Sequence, residues 1–201
     1  MAVRITNLTG ATTYIGTSQG SVLCPLLFSV LTNRITSTLN NVTVINYADD
    51  TCIIGCIANK SDLSDYFCKI SWITTQCKYL DLLLNPSKTK EMLFPTRRDK
   101  ADIPVLKIND VDIVFCDNVK YLGVLVDNKL RFAEHVQNTV TKASQRMYIV
   151  RAFLYKSTKS LSAVLFKSFI ISILTYCIPT LYPCVYAKEK RPMRTFFLGG
   201  R

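Results

Sequence analysis

The chain has 201 residues, 49% of them hydrophobic, and a formal net charge of +11. That length supports one sizeable core or two small subdomains, and the low charged content, abundant Tyr and Phe and few Gly and Pro exclude a disordered chain. So basic a balance points to a polyanionic partner, either nucleic acid or an anionic membrane; a solvated basic face kept for solubility is the plain alternative. From Lys120 onward the acids are only Asp127, Glu134 and Glu189, set among Lys120, Lys129, Arg131, Lys142, Arg146, Arg151, Lys156, Lys159 and Lys167. The C-terminal half is therefore the expected polyanion surface. None of the eight cysteines forms a Cys-x-x-Cys pair and His135 is the single histidine, which argues against zinc at the usual spacings. Met1 to Gly10 has no apolar signal-peptide core. These features predict a reduced, intracellular protein, in the nucleus or cytoplasm.

Along the chain, Met1 to Ile15 reads as a hairpin or loop and Gly16 to Gly20 as a turn. A helix is predicted from Ser21, with Pro25 in its first turn and a stripe of Leu23, Leu27, Val30, Leu31 and Ile35. Val42–Ile45 and Cys52–Ile54 are two β-rich runs joined by the polar group Asn46 to Thr51, the pattern of a hairpin. Ser61 is the predicted N-cap of a second helix. Its stripe is Leu63, Phe67, Ile70, Ile73, Cys77, Leu80 and Leu84, and Asn85-Pro86-Ser87 is its stop. Short strands follow at Glu91–Phe94, Val105–Ile108, Val111–Phe115 and Tyr121–Val126, with Asn109-Asp110 as a turn. Two helices close the chain, Ala133 to Tyr155 and Ser160 to Cys177. The apolar stretch Leu161 to Pro179 barely reaches bilayer length, and Lys167 near its middle would cost about 3 kcal/mol on insertion. A buried helix is the preferred reading, with no stable membrane association; a membrane-associated protein is the weakest of three functional readings. The fold class is α+β, with an expected boundary near Asp127–Arg131.

The sharpest chemical signal is Tyr47-Ala48-Asp49-Asp50. Two adjacent carboxylates at a hairpin turn repel, and partial burial adds to the cost. A divalent cation would resolve the conflict, and oxygen ligands favour Mg²⁺ or Mn²⁺. Alone, Asp-Asp would serve equally as a polar turn. It is accompanied by Thr17-Ser18-Gln19-Gly20-Ser21-Val22-Leu23-Cys24-Pro25-Leu26-Leu27-Phe28 upstream, and by Leu84-Asn85-Pro86-Ser87-Lys88-Thr89-Lys90 and Lys120-Tyr121-Leu122-Gly123-Val124 downstream. In order and approximate spacing these resemble the palm motifs of the reverse transcriptases of non-LTR (LINE-type) retrotransposons: a Pro-Gln-Gly-Ser-type loop, a Tyr/Phe-Ala-Asp-Asp box, an Asn-x-x-Lys-Thr segment and a Tyr-Leu-Gly turn. The resemblance covers nearly the whole chain.

The resemblance implies RNA-directed DNA synthesis on an RNA template from a DNA primer, with dNTPs and Mg²⁺ or Mn²⁺. It implies a partial polymerase palm, an antiparallel sheet with packed helices, over residues 1–127, and a helical thumb-like region over 128–201. Asp49 and Asp50 would be the metal ligands, and Lys88 would assist the pyrophosphate leaving group. Gln19, Gly20 and Ser21, with Tyr47 and Ala48, would line the dNTP pocket. Tyr121, Leu122 and Gly123 would support the primer end, while Lys129, Arg131, Lys142 and Arg146 grip the template–primer backbone through salt-dependent, sequence-neutral contacts. Each also has a plainer reading: Gly-Ser as an ordinary helix start, Lys88 as an exposed loop lysine, Tyr121 to Gly123 as ordinary strand.

The chain departs from the family pattern in two ways. Ser18 stands where the family has Pro. The family's first catalytic Asp lies in a Phe-Asp segment upstream of the Gln-Gly loop, whereas the first Asp here is Asp49; the resemblance is therefore expected to leave out the finger region, and a zinc knuckle and endonuclease downstream. The expectation is a fragment inactive alone, with low solubility from uncovered apolar surface. A non-catalytic RNA or RNA–DNA hybrid binding remnant is the alternative.

Overall fold

The structure, a computed structural model, describes residues 2–7 (backbone only), 22–36, 39–94, 103–154, 158–185 and 190. Residues 1–119 and 120–201 form two compact units, each with its own apolar core.

The first unit is built on a four-stranded antiparallel sheet in the order β2-β3-β1-β4, from β1 (Ala2–Asn7), β2 (Val42–Tyr47), β3 (Asp50–Gly55) and β4 (Lys90–Leu93). The first residues thus form a central strand, not a local hairpin. Thr51, Cys52, Ile53 and Gly55 of β3 are all buried; a strand that loses its alternation in this way is covered on both faces.

Helix α1 runs from Cys24 to Thr32, with Pro25 in its first turn as predicted. It begins later than the sequence suggested, and Ser21 lies outside the described residues. Its apolar stripe is not buried: Leu23, Leu27, Val30 and Leu31 are exposed, and only Thr32 and, beyond the helix, Ile35 are covered.

Helix α2 (Lys60–Tyr79) is capped by Asn59, not by Ser61. The Asn59 side chain accepts from the Asp62 amide at 2.9 Å while the Asp62 carboxylate accepts from the Ala58 and Asn59 amides at 2.9 and 3.2 Å. This reciprocal box satisfies donors that a cap at Ser61 would leave open. The helix also stops before Asn85-Pro86. Asp81 takes φ 55, and the Leu82 and Asp81 amides return to the Cys77 and Lys78 carbonyls at 2.8 and 3.2 Å, which is a Schellman ending. The inner face of α2, with Tyr66, Ile70, Ile73 and Cys77, packs with Val42, Ile53 and Ile35. The same core takes Leu106, Ile108 and Ile113 from the hairpin β5 (Leu106–Ile108) and β6 (Val111–Ile113). Each such fully buried aliphatic contributes about 1.5–3 kcal/mol. The predicted Asn109-Asp110 turn closes that hairpin with φ 49 and 61, the left-handed pair of a type I′ turn.

The segment predicted as one strand, Tyr121–Val126, is two: β7 (Asn118–Tyr121) and β8 (Val124–Asp127), which pair. Leu122 and Gly123 between them take φ 45 and 83, again the left-handed pair that reverses a chain in two residues.

The second unit continues through helix α3 (Ala133–Leu154) and a second helical run. That run comprises α4 (Lys159–Phe166), a π-helical segment Lys167–Ile171, and α5 (Ser172–Thr175); α6 (Ile178–Leu181) follows. The wider π turn resets the helical face. No residue of α4 is buried, whereas Ile170 and Leu174 pack with Ala143 and Val150 of α3. A second small core joins Val124, Phe132, Val136, Leu181 and Val185. The expected buried helix over Leu161–Pro179 is mostly exposed: only 11% of the apolar window in Lys159–Leu181 is covered. By length, 23 residues, and composition, with mean hydropathy 2.0 over its most apolar 18-residue window, this helix could cross a membrane. Among the described residues its main packing partner is α3, so burial stays largely on one stripe.

Candidate active site and nucleic-acid interface

In the first unit, β2 and β3 pair in register from Val42↔Gly55 to Tyr47↔Asp50. Ladder pairing therefore runs on through Asn46 and Thr51, leaving Ala48-Asp49 as a two-residue turn. Ala48 sits at φ 50, a conformation that costs a side-chain-bearing residue about 1–2 kcal/mol. Asn46 anchors the hairpin by donating its side-chain amide to the Ile35 carbonyl at 2.8 Å. Tyr47, Ala48 and Asp49 are exposed at the tip, while Asp50, the first residue of β3, is half-buried. Burial raises the Asp50 pKa above its ordinary 3.8, the neighbouring Asp49 charge raises it further, and the Lys88 ammonium opposes both. Lys88, far along the sequence, thus lies within electrostatic reach of Asp50.

Lys88 is held there by a local device. The Thr89 amide and hydroxyl both donate to the Asn85 carbonyl, at 3.1 and 2.9 Å, and the Lys88 amide donates to the Asn85 side chain at 3.3 Å. Asn85-Pro86-Ser87-Lys88-Thr89 is therefore one closed turn feeding directly into β4. Beneath the sheet, the Tyr66 hydroxyl donates to Glu91 Oε1 at 3.2 Å, and both residues are fully buried. Gln19, Gly20 and Ser21 lie outside the described residues. Among those described, no group of three or more His, Cys, Asp or Glu side chains is placed to hold a metal ion. Asp49 and Asp50 could supply two oxygen donors.

The second unit carries an open cleft of about 510 Å³. Lys120, Lys142 and Arg146 bring three cations to it, Asn138, Thr139 and Ser172 add polar groups, and no carboxylate lines it among the described residues. Gly123 of the β7–β8 turn forms part of its wall. His135, also in the lining, is buried. Its Nδ1 accepts from the Leu125 amide at 3.2 Å, so its proton sits on Nε2. Burial, and secondarily the Lys142 charge, lowers its pKa below 6.5, which keeps the ring neutral at pH 7. Tyr176, where α5 ends, donates its hydroxyl to the Leu122 carbonyl at 2.6 Å.

Of the residues grouped by the sequence as primer- and template-binding, the structure gathers Gly123, Lys142 and Arg146. Tyr121 is half-buried in β7, and Leu122 meets the cleft only through its carbonyl's bond to Tyr176. Lys129 and Arg131 do not line the cleft; they project from the loop after β8. That loop is ordered by Asp127, whose carboxylate accepts from the Lys129, Arg131 and Phe132 amides at 3.0, 3.0 and 2.6 Å. Asp127, His135 and Tyr176 were not singled out as site residues from the sequence. An acid shortly before a helix is a capping signal that would have found Asp127; nothing local distinguishes Tyr176 from other aromatics in an apolar run.

Comparison with known proteins bears on both sites. Residues 2–126, more than half of the chain, match the family model described as reverse transcriptase (RNA-dependent DNA polymerase). Three Drosophila melanogaster proteins are similar. "Probable RNA-directed DNA polymerase from transposon BS" is 29% identical over 74% of this chain and 17% of its own length. "Probable RNA-directed DNA polymerase from transposon X-element" is 27% identical over 63% of this chain and 14% of its own. "RNA-directed DNA polymerase from mobile element jockey" is 28% identical over 61% of this chain and 14% of its own. The chain thus spans less than a fifth of the length of these relatives. No solved structure matches it significantly. With its Tyr-Ala-Asp-Asp hairpin, its Asn-x-x-Lys-Thr turn and relatives among non-LTR transposon polymerases, the chain belongs to the reverse transcriptase family.

Proposed function

We propose that these residues serve RNA-directed DNA synthesis, the addition of dNTPs to a primer 3′ end directed by an RNA template. The observation that carries the reading is the hairpin tip: exposed Asp49 beside half-buried Asp50, with Lys88 drawn to the same place. The paired carboxylates repel, and burial disfavours their charge. The family generally uses divalent metal ions, and we assign Mg²⁺ or Mn²⁺ to Asp49 and Asp50 on the hardness of their oxygen donors. When bound, such an ion would neutralise phosphate charge at the reacting end of a nucleotide. Lys88 presents a cation to the pyrophosphate as it leaves. Tyr47 and Ala48 form the floor next to the incoming dNTP. The three cations of the second-unit cleft hold the phosphate backbone of primer and template, consistent with the nucleic-acid binding that the family implies.

The test is direct. Mn²⁺ titrated into the isotopically labelled chain broadens amide resonances from Tyr47 to Thr51, and Asp49→Ala with Asp50→Ala abolishes the effect. Broadening centred elsewhere would overturn the metal assignment.

A second reading, binding without catalysis, is favoured by one observation: no third carboxylate joins Asp49 and Asp50 among the described residues. It predicts that RNA–DNA binding survives Asp49→Ala and that no nucleotide is incorporated. In both readings the chain stays off the bilayer, because Lys167 stands in the middle of the apolar helix. Co-flotation with anionic vesicles in high salt would contradict this.

A further inference from the structure

We propose that Tyr176 is a positioning residue for nucleic acid: it fixes the Leu122–Gly123 turn so that the turn and the cleft cations face one phosphate backbone. This deepens the reading of the second-unit cleft as the primer–template site and rests on it.

Leu122 takes φ 45, where a leucine is strained. Strained residues persist only where their surroundings over-determine them. Nothing in the Leu-Gly dipeptide does so; an Asn at the first position would suit this conformation better. The over-determination comes from 54 residues away. The Tyr176 hydroxyl donates to the Leu122 carbonyl at 2.6 Å, and its ring lies against Gly123, 3.6 Å from where a Cβ would stand.

The chain is bent to deliver that side chain. Tyr176 leaves the helix with ψ 123, and Cys177 follows at φ 56, a second left-handed residue without glycine. Two local strains therefore converge on one hydrogen bond. His135 adds a second tie from α3, through its Nδ1 to the Leu125 amide.

The location gives the tie its purpose. Tyr176, Gly123, Lys120, Lys142 and Arg146 share the lining of the cleft. Cations on a strand end and on a long helix converge on one phosphate backbone only if strand and helix keep a fixed spacing. The hydroxyl of Tyr176 ties the turn to the end of α5, which packs against α3, and so holds that spacing together with His135; Leu122 itself contributes only a carbonyl.

The experiment measures affinity of the 201-residue chain for an RNA–DNA primer–template, with thermal melting alongside. Tyr176→Phe keeps the ring and removes the hydrogen bond. It is expected to weaken binding about two- to tenfold, to leave the melting temperature near wild type, and to speed amide exchange at Leu122 and Gly123. Tyr176→Leu, which also loses the ring contact, weakens binding further. Lys142→Ala with Arg146→Ala serves as the reference. If the reference variant weakens binding and Tyr176→Phe does not, the positioning role is overturned and the cleft reading stands. If neither weakens binding, the cleft reading itself fails and the role falls with it. If Tyr176→Phe lowers affinity only in proportion to a lowered melting temperature, Tyr176 is a stability residue and the proposal is refuted.

Discussion

Gly55→Ala probes how tightly the carboxylate hairpin is built into the first unit. A Cβ at Gly55 would lie 2.6 Å from Tyr66 Cδ2 and 3.2 Å from Cε2, about 1 Å inside ordinary carbon contact. The ring has no room to retreat: Tyr66 is 0% exposed, stands edge-on to Phe67 at 5.8 Å, and holds buried Glu91 through its hydroxyl. Overpacking of this kind costs about 1–3 kcal/mol, and loosening the Tyr66–Glu91 bond adds about 1 kcal/mol. The stiffer unfolded chain returns about 0.4–1 kcal/mol. The net expectation is a loss of about 2 kcal/mol. Trp72, the single tryptophan, lies on α2 of the same unit, so its fluorescence during urea unfolding reports the first unit. In a Tyr66→Leu background the added methyl meets no ring, and its cost should fall below about 0.5 kcal/mol. A loss under that figure in the wild type, or the same loss in both backgrounds, would refute the packing argument.

Asp127→Ala removes an acceptor shared by three backbone amides and should lower stability by about 2 kcal/mol; Asp127→Asn keeps one carbonyl oxygen and should lose about half of that, read by thermal melting with circular dichroism. His135 has a lowered folded pKa, so the unfolded state binds its proton more readily. Stability of the second unit should fall as pH drops below 6.5 through that lowered pKa, and His135→Gln, which can still accept from Leu125, should flatten the dependence. Asp50 has a raised folded pKa, so in chelator the folded state is penalised as pH rises above 3.8 through the folded value. Asp50→Asn should accordingly melt higher than wild type at pH 7 without metal, and the difference should vanish below 3.8.

Much of the first unit was legible in the sequence because its signals are local. Adjacent apolar runs around Asp49-Asp50 gave the hairpin, the 3.6-residue stripe gave α2, and Asn109-Asp110 gave its turn. What failed were boundaries set by side-chain capping: Asn59 displaced Ser61 because Asp62 completes the box, and Asp81 ended the helix before Pro86. The β7–β8 turn was legible only through the Tyr-Leu-Gly resemblance; β-propensity ran one strand across it, because Leu-Gly is an uncommon left-handed pair, and a tyrosine far along the chain holds it. The site divided the same way. Asp49, Asp50 and Lys88 were readable as motifs. His135 and Tyr176 act through long-range hydrogen bonds that no spacing announces, and that Lys142 and Arg146 share a cleft while Lys129 and Arg131 stand outside it is a matter of direction that charge counting does not carry. The exposed face of Lys159–Leu181 was misread because apolar periodicity does not reveal whether a partner is present to cover it.

The most direct test of the account is the salt dependence of binding between the chain and an RNA–DNA primer–template. The wild type should bind with affinity falling steeply as salt rises. Lys142→Ala with Arg146→Ala should make the log–log slope shallower by about 2, roughly one unit per lost phosphate contact, while Asp49→Ala leaves it unchanged. Salt-insensitive binding, or a slope that both cleft substitutions leave untouched, would contradict the assignment of this cleft to the nucleic-acid backbone.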